Sequence, residues 1–88
     1  MIALHLSVHG RVQGVFYRNW TVTAARGLGL AGWVRNQPDG SVEALVEGEE
    51  QAVLRMVELM HAGPPAARVE RIDQGPAKPE MLDHFERR

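Results

Sequence analysis

The sequence predicts an α+β fold with the element order β-α-β-β-α-β. Several segments alternate apolar and polar residues, as strands with one buried face do, and two others repeat apolar residues at helical spacing. Glycine and proline residues separate these segments. The chain has 88 residues and no internal repeat, so we expect a single domain over residues 1–88.

The first strand and the first helix are predicted in the N-terminal third of the chain. The strand has apolar residues at every second position, namely Ile2, Leu4, Leu6 and Val8. The helix is expected over residues 16–28, where apolar residues recur at every fourth position, namely Phe16, Trp20, Ala24 and Leu28. Gly27 or Gly29 can end this helix in a left-handed conformation.

A β-hairpin is predicted in the middle of the chain. Residues 30–36 form its first strand, and Pro38-Asp39-Gly40 is a strong turn signal. The returning strand then places Val42, Ala44 and Val46 on one face.

A second helix and a fourth strand are predicted in the C-terminal half. The helix spans residues 49–61 and Gly63-Pro64-Pro65 stops it. Its apolar face is formed by Val53, Met56, Val57 and Met60. The fourth strand spans residues 67–73, and the spacing of three between Val69 and Ile72 indicates either a bulge or a different starting residue. Residues 74–80 are expected to form a loop, and residues 82–88 can add a short, charged edge strand.

This element order is that of the ferredoxin-like fold, in which two helices cover one face of an antiparallel sheet. The first and second strands of that fold run in the same direction, with the third strand between them. Their C-terminal ends therefore lie at the same edge of the sheet. The loop after the first strand should meet Asn36 at the end of the second, which brings Arg18 and Asn36 toward one site.

Composition limits the classes of partner. Ten basic and 11 acidic residues give a net charge of −1, so the chain has no broad electrostatic attraction for nucleic acid or an anionic membrane. It has no cysteine, which excludes disulfides and thiolate nucleophiles. Its four histidines lack metal-ligand spacing, and no apolar run approaches membrane-spanning length. We therefore expect a cytoplasmic protein without a metal, a membrane partner or a nucleic-acid partner.

Residues 10–16, called here the glycine loop, connect the first strand to the first helix with the sequence Gly-Arg-Val-Gln-Gly-Val-Phe. Glycine lets the backbone approach a ligand closely, and consecutive N–H groups in such a loop can converge on one anion. The N-terminus of the following helix adds unpaired N–H donors and the positive end of its dipole. The loop therefore predicts a site for a tetrahedral anion.

Arg18 lies in the first turn of the predicted helix, directly after the glycine loop. Helical side chains tilt toward the helix N-terminus, so its guanidinium can fold back over the loop. A guanidinium has paired, planar donors that match two phosphate oxygens. An arginine at such a position is usually a solvated charge, but the adjacent loop favours anion binding here.

Three segments together closely resemble the acylphosphatase family. They are Gly10-Arg11-Val12-Gln13-Gly14-Val15-Phe16-Tyr17-Arg18, Leu28-Gly29-Leu30-Ala31-Gly32-Trp33-Val34-Arg35-Asn36 and Asp39-Gly40-Ser41-Val42-Glu43. The resemblance extends from about residue 4 to residue 73. It implies hydrolysis of acyl phosphates to a carboxylate and inorganic phosphate, without a cofactor, a metal or a covalent phosphoenzyme.

The resemblance also implies roles for individual residues. Arg18 would bind the phosphoryl group together with main-chain N–H groups of the loop, which are those of Arg11, Val12, Gln13, Gly14 and Val15. Asn36 would orient the attacking water. The implied partners are a small acyl phosphate and, as product analogues, inorganic phosphate or sulfate. A monomer is expected because the motif needs no residue from a partner.

One position departs from the family pattern, and some other interpretations stay open. Many members have threonine or serine after the asparagine, whereas this chain has Gln37, although Ser41 keeps a hydroxyl near the site. An RNA-binding module would need aromatic side chains on the central strands, and the first and third strands contain none. An anion sensor could keep the glycine loop without hydrolysis. Arg87-Arg88 is interpreted as a solvated tail.

Overall fold

The computed structural model describes residues 1–88 and contains five strands and two helices. The elements are β1 (Ile2–Arg11), α1 (Tyr17–Gly27), β2 (Ala31–Asn36), β3 (Val42–Gly48), α2 (Glu50–Ala62), β4 (Arg68–Pro76) and β5 (Phe85–Arg87). The ferredoxin-like β-α-β-β-α-β order is therefore confirmed, with β5 as a short addition.

The strands form one sheet in the order β4-β1-β3-β2-β5. Both β1 and β2 pair antiparallel with β3, so they run in the same direction, as expected. The predicted edge strand exists, but β5 pairs parallel with β2. The sheet is thus mixed rather than purely antiparallel. After β4 the chain crosses to the opposite edge of the sheet, where β5 runs beside β2 in the same direction.

The main core lies between the helices and one face of the sheet. The predicted apolar face of α2 is confirmed, since Val53, Met56, Val57 and Met60 are all buried. They pack in one cluster with Leu6 and Val8 of β1 and with alternate residues of β3, namely Val42, Ala44 and Val46. Burial of this apolar surface holds both helices on the same side of the sheet.

The buried face of α1 differs by one position from the prediction. Its buried residues are Tyr17, Thr21 and Ala25, whereas Trp20 and Ala24 are only partly buried. Phe16 is not helical: it has φ of 65° and its side chain is 79% exposed. The core-facing positions of α1 are thus each one residue later than predicted, and the predicted positions Trp20 and Ala24 lie beside them, partly buried.

The strand β4 is longer than the sequence predicts. It continues through Gln74 and Gly75 to Pro76, which pairs with Leu4. Proline is tolerated there because β4 is an edge strand and one row of its N–H groups has no neighbouring strand. Of the two alternatives for the irregular spacing, the structure has the bulge, since the pairing passes from His9 with Arg71 to Gly10 with Val69.

The face of the sheet opposite the helices carries a smaller cluster. Trp33 and Leu45 are buried there with Ala3, and Leu82 packs against them. Nearby, the fully buried carboxylate of Glu47 accepts hydrogen bonds from the main-chain N–H groups of Glu80 and Leu82, both at 2.7 Å. These bonds fix the segment that leads from β4 to β5.

Candidate active site

The two glycines of the glycine loop meet different physical requirements. Gly10 has φ of 131°, and a Cβ there would lie 2.1 Å from the carbonyl oxygen of Arg68. Only glycine therefore allows β4 to approach β1 at the bulge. Gly14 has φ of 73° with open space around the Cβ position, so it supplies a left-handed turn in the loop.

The glycine loop leaves its N–H groups without internal partners. None of the main-chain N–H groups of residues 12–16 donates a hydrogen bond within the protein. The Trp20 N–H donates to the Phe16 carbonyl oxygen at 3.0 Å, and the first turn of α1 contains no acidic residue. The loop and the helix start thus offer a set of free donors beside the positive end of the α1 dipole.

A pocket of about 260 Å³ lies against this set of donors. We call it the active pocket, and its lining residues are Val12, Gly14, Phe16, Tyr17, Arg18, Asn19, Asn36 and Arg87. It contains two arginines and no carboxylate, although the chain as a whole has a net charge of −1. The pocket is therefore a local cationic site suited to a small anion.

Arg18 and Asn36 line this same pocket, although they come from α1 and from the end of β2. Arg18 forms no ion pair with any aspartate or glutamate side chain. Its one hydrogen bond, from Nη1 to the main-chain oxygen of Arg88, is long at 3.4 Å. The guanidinium is therefore free to bind an anion.

The Asn36 side chain has an unsatisfied acceptor at the pocket. Its Oδ1 atom is buried and has no hydrogen-bond partner. Buried polar atoms of native proteins are nearly always paired with protein or water. Asn36 also lines the pocket, so its amide has hydrogen-bonding capacity beside the pocket that the protein itself does not use.

Other residues of the predicted site lie in different places. Val12 and Gly14 line the active pocket, whereas Arg11 and Gln13 do not. Val15 is buried in the main core and lines a neighbouring groove. The Gln13 side chain turns toward the β2–β3 turn, where Nε2 donates to the carbonyl oxygens of Gln37 and Ser41, both at 2.8 Å.

Arg87 lines the active pocket, so its interpretation as part of a solvated tail was wrong. Its Nη1 donates to Asn19 Oδ1 at 3.0 Å, and it forms no ion pair. The strand alternation of β5 explains its direction: Phe85 is buried in the core on the helix side, and Arg87 lies two residues later on the same side. The buried phenylalanine was the signal in the sequence.

Several polar groups near the pocket are engaged elsewhere. The Tyr17 hydroxyl donates to the Met60 carbonyl oxygen at 2.7 Å, and burial raises the pKa of this phenol well above its ordinary value. Ser41 Oγ donates to Asp39 at 2.6 Å, and the side-chain and main-chain hydrogen bonds from Ser41 lower the pKa of Asp39. Gln37 Nε2 donates to Glu43. Neither Gln37 nor Ser41 lines the active pocket, so the Ser41 hydroxyl is not part of the site, contrary to expectation.

Histidine and carboxylate side chains stand apart from the pocket. No histidine, aspartate or glutamate lines it, and His9 instead lies 3.3 Å from Asp73 on β4. No three such side chains are grouped in a way that could hold a metal ion. No helix has the length and apolar character needed to cross a membrane.

Comparisons with known proteins find relatives over nearly the whole chain. The profile of the Acylphosphatase family matches residues 4–87. An acylphosphatase from an Acidovorax species is 51% identical over 87 residues, covering 99% of this chain and 90% of that protein. One from Thiobacillus denitrificans is 49% identical over 88 residues, covering 100% and 98%. The crystal structure of acylphosphatase from Bacillus subtilis has a TM-score of 0.95 at 38% identity, covering 98% of this chain and 97% of that one.

Proposed function

Because this chain belongs to the acylphosphatase family, we propose that its active pocket hydrolyses acyl phosphates by direct attack of water on phosphorus. Family membership makes the chain a hydrolase of acid anhydrides that acts on small acyl phosphates. The roles of individual residues are our proposal. The observation that carries it is the meeting of Arg18, Asn36 and the unpaired donors of the glycine loop in one pocket.

The phosphoryl group binds between the glycine loop and Arg18. The free N–H groups of residues 12–16 donate to its oxygens, as do N–H groups at the start of α1, and the guanidinium binds two oxygens at once. Arg11, the residue before this set of donors, does not line the pocket and pairs with Arg68 in the sheet. These donors stabilise the negative charge on the equatorial oxygens, which is the main requirement of phosphoryl transfer.

Asn36 orients the attacking water. Its side-chain amide, which lines the pocket, makes a hydrogen bond to that water and holds it beside the phosphorus atom. An acyl phosphate already has a good leaving group, the carboxylate, so positioning is enough and a strong base is not required. The water then attacks phosphorus, the P–O bond to the acyl group breaks, and the electron pair leaves with the carboxylate.

The proton of the water passes to a phosphoryl oxygen of the substrate. No histidine or carboxylate lines the pocket, and the Tyr17 phenol donates to Met60 with its pKa raised by burial. A proton acceptor must therefore come from the substrate. A pH–rate profile with a steep limb near the histidine pKa that disappears in His9→Gln would contradict this step.

Single-chain action without a metal is part of the proposal. Every residue with an assigned role comes from one chain, so we propose a monomer that works as one domain. Inorganic phosphate or sulfate should bind as a product analogue.

A cytoplasmic location stays a prediction from the sequence, and cell fractionation tests it.

The proposed activity is tested by measuring carboxylate and phosphate release from acetyl phosphate in metal-free buffer with added chelator. We expect stoichiometric release of both products at a rate that the chelator does not change. An anion sensor would instead bind phosphate and release no carboxylate. Loss of activity on chelation would contradict the metal-free mechanism.

A further inference from the structure

A second concavity, called here the apolar groove, lies between α1 and the turn that follows α2. Its volume is about 490 Å³, and its lining includes Phe16, Trp20, Thr23, Pro64 and Pro65. No charged residue lines it. The groove therefore differs in chemistry from the active pocket, which contains two arginines.

The apolar groove is continuous with the active pocket. Phe16 and Asn19 line both concavities. The Phe16 side chain is 79% exposed, and its backbone has φ of 65°. Exposure of a large apolar side chain to water is unfavourable, and so is a left-handed backbone conformation at a residue other than glycine. Both features concentrate at ligand sites. Phe16 thus marks the border between the phosphoryl site and the groove.

The groove lies on the side of the active pocket opposite Asn36. The sheet order is β4-β1-β3-β2-β5, and the glycine loop follows β1, which lies between β4 and β2. Asn36 ends β2, whereas Pro64 and Pro65 precede β4. Attacking and leaving oxygens lie roughly in line through phosphorus, so a water held by Asn36 directs the leaving carboxylate toward the groove.

We propose that the apolar groove binds the acyl group of the substrate and selects uncharged aromatic or aliphatic acyl phosphates over anionic ones. This inference rests on the proposed function, which gives the positions of the phosphoryl group and the water. The apolar surfaces of Phe16, Trp20 and Pro65 bind such a group by removing it from water. Arg87, the cation that could attract an anionic acyl group, belongs to β5 beside β2 and so lies on the Asn36 side.

The test compares kcat/KM for benzoyl phosphate, which carries an aromatic ring, with kcat/KM for acetyl phosphate, which carries one methyl group. Thr23 is exposed in the groove, so Thr23→Asp adds a charge there with little effect on folding. We expect the benzoyl-to-acetyl ratio of kcat/KM to fall about tenfold. Thr23→Val keeps the side-chain shape, makes the groove more apolar, and should keep or raise the ratio.

Two controls separate the groove from general charge effects. Gln51→Asp makes the same charge change at an exposed position of α2 that lines neither concavity, and it should leave the ratio unchanged. The inhibition constant of inorganic phosphate reports on the active pocket alone, and it should be the same in all variants.

The possible outcomes decide between this inference and the proposed function. An unchanged ratio in Thr23→Asp, an equal fall in Gln51→Asp, or a wild-type preference for succinyl phosphate over benzoyl phosphate would overturn the acyl-binding groove while leaving hydrolysis intact. Failure of the wild-type protein to cleave acetyl phosphate would refute the proposed function itself, and the groove assignment with it.

Discussion

The Gln13 side chain connects the glycine loop to the main-chain carbonyl oxygen of Gln37, at 2.8 Å. The same Nε2 atom also donates to the Ser41 carbonyl oxygen at 2.8 Å. Because Gln37 directly follows Asn36, this contact joins the phosphate-binding loop to the end of β2. The two halves of the active pocket are therefore held in register by a residue that does not line it.

We expect Gln13→Glu to weaken this connection, because a carboxylate cannot donate to the two carbonyl oxygens. The free energy of unfolding, measured in urea, should fall by about 1–3 kcal/mol, the usual effect of unpairing partly buried polar groups. Phosphate affinity and kcat should fall together, since both halves of the pocket lose their relative position. A change in stability with unchanged kinetics would contradict the positioning role of Gln13.

Glu47→Gln is expected to loosen the segment that leads to β5. The Glu47 carboxylate is fully buried and accepts two main-chain N–H groups at 2.7 Å, and an amide can offer only one acceptor oxygen. The free energy of unfolding should fall by about 2 kcal/mol, typical of hydrogen bonds to a charged group. Glu70→Gln, at an exposed position of β4, serves as the control and should have little effect. Equal stability of the two variants would show that the two N–H contacts do not stabilise the fold.

The acid sensitivity of the fold should depend on Glu43. Partial burial opposes ionisation, but hydrogen bonds with His5 and Arg35 outweigh it and lower the pKa of this carboxyl below its ordinary value of 4.5. A carboxyl with a lowered folded-state pKa contributes stability that is fully present above the unfolded pKa and is lost as pH falls through the folded value. Wild type should therefore lose more stability than Glu43→Gln between about pH 6 and pH 3.

Urea unfolding at each pH measures this difference. Glu58→Gln, at an exposed position of α2, is the matched control and should follow the wild-type pH dependence. Parallel curves for wild type and Glu43→Gln would show that the Glu43 contacts contribute nothing to acid sensitivity.

Local periodicity was enough to predict most elements of the fold. The apolar face of α2 and the alternation in β3 are visible in single segments of sequence, because each element buries one face. The approach of Arg18 and Asn36 to one pocket followed from the β-α-β-β order, since the topology brings the end of β1 and the end of β2 to the same edge.

Features that depend on tertiary context were missed. The buried face of α1 lies one position later than predicted, because the rotation of the helix against the sheet is set by tertiary packing. The length of β4 was underestimated because proline is acceptable only on an edge strand, and the edge is defined by the whole sheet. Arg87 was missed because β5 reaches the pocket through a parallel pairing with β2, which is distant in sequence.

The proposed division of labour in the active pocket is tested most directly by comparing Arg18→Ala and Asn36→Ala with wild type. For each protein, the inhibition constant of inorganic phosphate and kcat for acetyl phosphate are measured in metal-free buffer. Arg18→Ala should lose most phosphate binding and most activity. Asn36→Ala should keep the wild-type inhibition constant while kcat falls about a hundredfold or more, the typical effect of removing one transition-state contact. An equal loss of phosphate affinity in both variants would contradict the assigned roles.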